Sequence, residues 1–288
     1  MNLFSIIEEI EKVDPDFKDK INPRRDAIKN ITSFGSKVAV AALPFAVASI
    51  FKKANAQSST TTARAVNDVL NFALQLEYFE AYMYNTAVAA PGLIQANDVA
   101  YFKVAQGHEN DHVTFLKGVL GSAASSPNSS YDLTGGGTFP DITTNFMTLY
   151  AVVQVVEDTG VRAYKGQAPY LLGNQTVLTA ALDIHAVEAR HAAAMRQLRT
   201  AYYGASVNPW ITSTSSVAND TGISQVDANY GGATPENTTT QGGVNILTLP
   251  SVESSSSTSV SVATAAFDEP LTTAEVAAIV KPFGVTVS

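Results

Sequence analysis

The chain has 288 residues, 45% of them hydrophobic and 15% charged, which suits one globular domain with an extension. Its net charge of −8 argues against a nucleic-acid partner. It has no cysteine, which excludes disulfides, Fe–S clusters, thiolate catalysis and a lipoprotein anchor.

Residues 1–56 read as an export leader. Arg24-Arg25 is followed by an apolar run from Val38 to Phe51, and Ala54-Asn55-Ala56 offers an A-x-A cleavage site. The run is shorter than the roughly 20 residues that a membrane span needs. The paired arginines, with Lys52 and Lys53 behind the run, resemble a twin-arginine signal, although Ala27 stands where that pattern has Phe. The leader implies contact with an export machinery and a periplasmic or extracellular location. An alternative reading uses Leu3, Ile6, Ile7, Ile10, Val13 and Phe17, which fall at helical spacing. A retained amphipathic helix would hold the chain at a membrane surface.

Residues 60–203 carry four helical stretches. The first runs from about Thr62 to Ala90 and is stopped by Pro91-Gly92; its inner stripe includes Leu70, Ala73, Glu77, Ala81 and Tyr84. The second starts at Asn97 or Asp98, both plausible N-caps, and stops at Gly121, with Phe102, Ala105, Glu109, His112, Leu116 and Val119 on one face. The third begins near Asp141 and carries Met147, Tyr150, Gln154, Glu157, Val161 and Tyr164. The fourth begins near Asn174 and carries Leu178, Ala181, His185, Glu188, His191, Met195, Leu198 and Tyr202. Ser122 to Pro140, between the second and third, spans about 60 Å when extended. A 25-residue helix is about 37 Å long. The linker can therefore cross a whole bundle, and one long crossover is the expected topology.

Residues 204–288 lose charge and fill with Ser, Thr, Gly and Asn. Short strands are expected near Val244–Leu249 and Ser259–Thr264. A last helix is expected from Thr273 to Phe283, opened by a capping box of Thr272 and Glu275.

Two of these stretches contain Glu-x-x-His, as Glu109 to His112 and Glu188 to His191. On a helix, positions i and i+3 share a face, so each motif aims a carboxylate and an imidazole the same way. Glu77 and Glu157 precede the motifs by 32 and 31 residues, and each has a tyrosine seven residues on, Tyr84 and Tyr164. The chain therefore repeats itself after about eighty residues. With four histidines in the whole chain, chance gives roughly 0.17 Glu-x-x-His matches, so a spaced pair is a strong signal. Four helices offering Glu, Glu-x-x-His, Glu and Glu-x-x-His are the ligand set of a carboxylate-bridged two-metal site. Four buried carboxylates carry −4, which two divalent cations balance. His108 lies one residue off the stripe and reads as structural. Glu80 and His185 flank the ligands by one turn. Each reads either as a group near the metals or as a plain residue: a rim charge for Glu80, a hydrogen-bonded histidine for His185. Tyr84 and Tyr164 read equally as hydrogen-bond donors to a ligand carboxylate across the bundle or as core packing.

The stretches Leu76-Glu77-Tyr78-Phe79-Glu80-Ala81, His108 to His112, Glu188 to Ala192 and Ala266 to Leu271 resemble the ferritin-like superfamily of bacterioferritins and rubrerythrins. They look closest to its exported branch, which includes plant desiccation-related proteins. The resemblance implies an all-α, ferritin-like four-helix bundle over residues 60–203, with a loop-rich C-terminal extension ending in a short helix. It implies two Fe or Mn ions held by Glu77, Glu109, His112, Glu157, Glu188 and His191, with Glu109 and Glu188 as bridges. It implies redox chemistry with O2 or peroxide as a ferroxidase, peroxidase or catalase-like enzyme, and self-association into a homo-oligomer. The leader and the long tail depart from the storage-ferritin pattern and argue against a cage. Two further readings remain open: a non-catalytic stress or metal-sequestering protein, and metal-assisted hydrolysis.

Overall fold

The computed structural model describes residues 64–203, 207–211, 223–249 and 259–287. The leader and its alternative reading as a retained helix lie outside these residues. The described residues belong to one unit, which begins at Ala63.

Four long helices form the bundle: α1 (Val66–Ala89), α2 (Val99–Leu120), α3 (Phe146–Gln167) and α4 (Gln175–Tyr203). Helix α1 pairs with α2 and α3 with α4, as two hairpins that face each other, with α1 against α3. Between the hairpins, residues 124–145 form the one long crossover. It lies along α1: Gln75 Nε2 donates to Ser125 Oγ at 2.8 Å, and Phe79 packs on Tyr131 with ring centroids 5.7 Å apart. The expected ferritin-like topology is therefore the observed one.

Helix boundaries follow local chemistry. Asp98 sits at the N-cap of α2 but does not cap it. Its carboxylate accepts a 2.7 Å bond from the Tyr150 hydroxyl instead, tying the starts of α2 and α3 together. Helix α3 begins five residues later than expected. Asp141 takes the Asn145 side-chain amide at 2.8 Å, and Asn145 then caps the helix by accepting from Met147 N at 3.0 Å. Asn174 caps α4 by accepting from Val177 N at 3.2 Å. Gly121, at φ 54, ends α2 where a side chain would strain the backbone.

Helix α3 is buried all round from Leu149 to Tyr164, which one amphipathic stripe does not explain. The C-terminal extension supplies the missing cover. Arg162, wholly buried, donates to the carbonyls of Glu269, Asn229, Gly231 and Thr234 and pairs with Glu236 at 2.8 Å. Asp158 binds Arg196 through both oxygens and accepts from the Tyr230 hydroxyl at 2.7 Å. The extension contains a two-residue hairpin, Thr240–Gln241 with Val244–Asn245, and two short helices, α5 (Val260–Ala265) and α6 (Thr273–Val280). The strand expected at Ser259–Thr264 is thus a helix: Ser259 accepts from Val262 N and caps it, outweighing the β-branched valines. The capping box of Thr272 and Glu275 forms on α6 as read from the sequence.

The extension approaches α3 closely at Gly166, where a Cβ would lie 1.9 Å from the Leu271 carbonyl oxygen. Leu271 N also donates to Arg162 O at 3.1 Å. Leu271, Val276 and Val280 are buried in the main core. Gly166→Ala and deletion of residues 270–288 should therefore both lower the melting temperature. Each buried aliphatic lost is worth about 2–3 kcal/mol, and each kcal/mol about 2–4 °C for a domain of this size. Unchanged melting curves for both variants would show that the extension is not docked.

Candidate metal centre

Glu77 comes from α1, Glu109 and His112 from α2, Glu157 from α3, and Glu188 and His191 from α4. All four carboxylates are fully buried. His112 Nδ1 lies 3.1 Å from Glu77 Oε2, 3.1 Å from Glu109 Oε2 and 3.4 Å from Glu188 Oε1. His191 Nδ1 lies 2.9 Å from Glu109 Oε1 and 3.3 Å from Glu157 Oε2. The side chains sort into two ligand groups, each drawn within 4.8 Å: Glu77, Glu109, His112, Glu188 and Glu109, Glu157, Glu188, His191. Glu109 and Glu188 belong to both.

The two halves mirror each other in their supports. Tyr84, in the first half, donates to Glu157 in the second; Tyr164, in the second, donates to Glu77 in the first. These bonds hold one oxygen of each outer carboxylate. Of the two open readings of these tyrosines, the hydrogen-bonding one is observed.

Too few protons serve the remaining atoms. Glu109 Oε1, Glu157 Oε2, both Glu188 oxygens and His191 Nδ1 are buried without a hydrogen-bond partner. The close approach of His191 Nδ1 to Glu109 Oε1 is misaligned for a hydrogen bond. Native proteins rarely leave even one such group, because each costs about 1–3 kcal/mol. Four converging carboxylate oxygens and one imidazole nitrogen are an environment that a cation can satisfy.

Electrostatics agree. Burial pushes Glu77 up to about 7, despite the pull of His112. Burial and then the neighbouring carboxylates raise Glu80 and Glu188 well above the usual range. Glu109 feels the same burial, but the adjacent imidazoles of His112 and His191 outweigh it and hold it at about 2. Burial would lower both histidines, yet the carboxylates around them raise each to about 10. The metal-free centre is thus a proton-sharing cluster of acids and imidazolium groups.

The flanking residues divide. Glu80 is no rim charge: it is buried, with its carboxylate turned inward towards Gly160 of α3 and the neighbouring glutamates. A methyl on Gly160 would lie 3.1 Å from Glu80 Oε1 and 3.3 Å from Glu188 Oε2, so the absence of a side chain there lets the two carboxylates approach. His185 is not at the centre. Its Nδ1–H donates to the Val161 carbonyl at 3.0 Å, which turns the ring onto the α3 backbone although it shares a face with Glu188. His108, which reads from the sequence as structural, lies against His191. Its Nδ1 meets His191 Nε2 at 3.0 Å, and the two rings stack 5.2 Å apart. It therefore fixes which nitrogen of His191 faces the carboxylates. Phase along α2 alone hides this contact, since it crosses to α4.

A four-helix bundle with four carboxylates and two imidazoles converging in its core is compatible with a metal site. The chain belongs to the ferritin-like domain family, whose model matches residues 65–229. No curated protein matches the chain.

Proposed function

We propose that this centre holds two divalent Fe or Mn ions and reacts with O2 or peroxide. The observation behind this reading is the set of unsatisfied, buried carboxylate oxygens shared between two ligand groups. Glu77 and His112 would serve one ion, Glu157 and His191 the other, and Glu109 and Glu188 both. When bound, the ions supply Lewis-acid and redox chemistry to the oxidant. The chain's own groups do the rest. Tyr84 and Tyr164 fix the outer carboxylates, and His108 fixes His191. Burial and the neighbouring carboxylates raise Glu80 well above the usual carboxylate range, which favours a proton on its carboxyl beside Glu188. The Glu80 side chain borders a cavity of about 150 Å³ between α3 and the extension, which gives a small oxidant room to approach.

Metal analysis of the purified protein, with ferrous-oxidation and peroxide-turnover assays, tests this reading. About two ions per chain and turnover lost with the metal are expected. A stable bundle without metal or turnover would overturn it in favour of a non-catalytic stress or metal-sequestering protein.

We infer further that residues 1–56 are a twin-arginine-type leader, on the strength of Arg24-Arg25, the apolar run and Ala54-Asn55-Ala56. No described helix is long and apolar enough to cross a membrane. N-terminal sequencing of extracytoplasmic protein should find Gln57 first; a terminus at Met1 would reject cleavage.

A further inference from the structure

One end of the bundle is hollow. The residues one helical turn beyond the carboxylates are small or aliphatic: Ala73 lies four before Glu77, Leu116 four after His112, and Ile184 four before Glu188. A turn is about 5.4 Å, so these side chains form the layer next to the centre. Between them lies a cavity of about 200 Å³ with walls from all four long helices. Its volume comes from alanines, Ala73, Ala163 and Ala181 among them, where bundle cores commonly carry larger side chains.

Almost no polar atom in its wall is free for a ligand. The Tyr164 hydroxyl is given to Glu77. The Gln167 amide accepts from Arg64 at 2.8 Å and donates to Thr273 Oγ1 at 3.2 Å. Thr176 sits at the exposed mouth. Water needs two to four polar partners to stay in such a space, and apolar cavities of about 150 Å³ stay dry and take up benzene or xenon. The mouth has the same character. Phe115 and Val119 line the cavity while 44% and 47% exposed, although Val119 reads from the sequence as an inward residue.

We propose that this cavity binds a small apolar molecule of about the size of benzene or toluene, in the layer beside the carboxylate–histidine centre. The ring of Tyr164 forms part of its wall while its hydroxyl holds Glu77, so an occupant touches a group that the centre uses. The binding needs no metal and stands apart from the proposed function.

The test is titration of the purified protein with benzene and toluene, and exposure of crystals to xenon. Saturable binding is expected, with a dissociation constant on the order of 1 mM. Xenon should sit between Ala73, Leu116 and Ile184. Ala73→Leu and Ala181→Leu fill the cavity from opposite walls. Each should weaken benzene binding at least tenfold while the melting temperature holds or rises. Two variants are used because one overpacked wall can fail to fold; the folded one decides, and the xenon position in the parent decides if neither folds. No saturable uptake by the parent, xenon elsewhere, or a folded leucine variant that binds as the parent does would each overturn the proposal. A protein that takes up benzene but no metal would defeat the proposed function and leave this site standing; the reverse result would do the opposite.

Discussion

Replacing Glu109 or Glu188 by alanine should cut metal content from about two ions per chain to one or fewer. Each residue contributes oxygens to both ligand groups, so its loss removes a ligand from both positions. Glu188→Gln is the milder change. It keeps the shape but removes an acid whose two oxygens are buried without partners. The metal-free variant should melt at least as high as the metal-free parent, because the amide carries no charge to bury or to repel the neighbouring carboxylates. It should also bind metal more weakly, since a neutral amide leaves the cations less well balanced. His108→Ala should fall between: partners of ligand histidines are worth about 10–100-fold in metal affinity. His185→Ala should keep both ions, because its ring is engaged by the Val161 carbonyl. Metal per chain is the measurement for every variant. Two ions retained in both bridge-to-alanine variants would mean that the ligands are misassigned, whatever the fold.

The ligand positions were legible because helical spacing and the eighty-residue repeat act on the same residues. A spacing of three puts Glu109 with His112 and Glu188 with His191, and the repeat then marks Glu77 and Glu157. The seven-residue offset marked Tyr84 and Tyr164 too, but which carboxylate each reaches is a property of the assembled bundle. What stayed hidden depends on neighbours that are distant in sequence. Glu80 is buried because its carboxylate faces Gly160 on α3 and Glu188 on α4, which its own helix does not reveal. His108 matters through α4. Arg162, which no sequence motif marks, is a buried hub for the carbonyls of residues more than sixty positions away. Helix α3 lacks a polar face for the same reason. The Ser259–Thr264 error was local: valines in alternation suggest a strand, but six residues behind a serine cap can close a helix.

Metal-free and metal-loaded protein should answer pH in opposite directions. In the metal-free state, Glu77 titrates at about 7 against an ordinary 4.5. Its folded form binds the proton more tightly than the unfolded chain does. That stabilisation is complete below pH 4.5 and is lost as pH rises through about 7. Glu80 and Glu188 are raised too and act in the same direction. His112 and His191 titrate at about 10 against 6.5, so their contribution is complete below pH 6.5 and drains away towards pH 10. Glu109, held at about 2, loses its contribution only as pH falls from 4.5 through about 2, and is flat above that. The melting temperature with chelator present should therefore decline from about pH 5 to pH 9. With metal in excess, protons compete with the ions for the same nitrogens and oxygens, so the melting temperature should climb over the lower part of that range. One pKa unit corresponds to about 1.4 kcal/mol, and each kcal/mol to about 2–4 °C here, so the two curves should separate by several degrees. Calorimetric scans at unit pH intervals, with chelator and with excess Mn, measure both slopes. Parallel curves would mean that the ions do not displace the protons of this cluster and bind elsewhere.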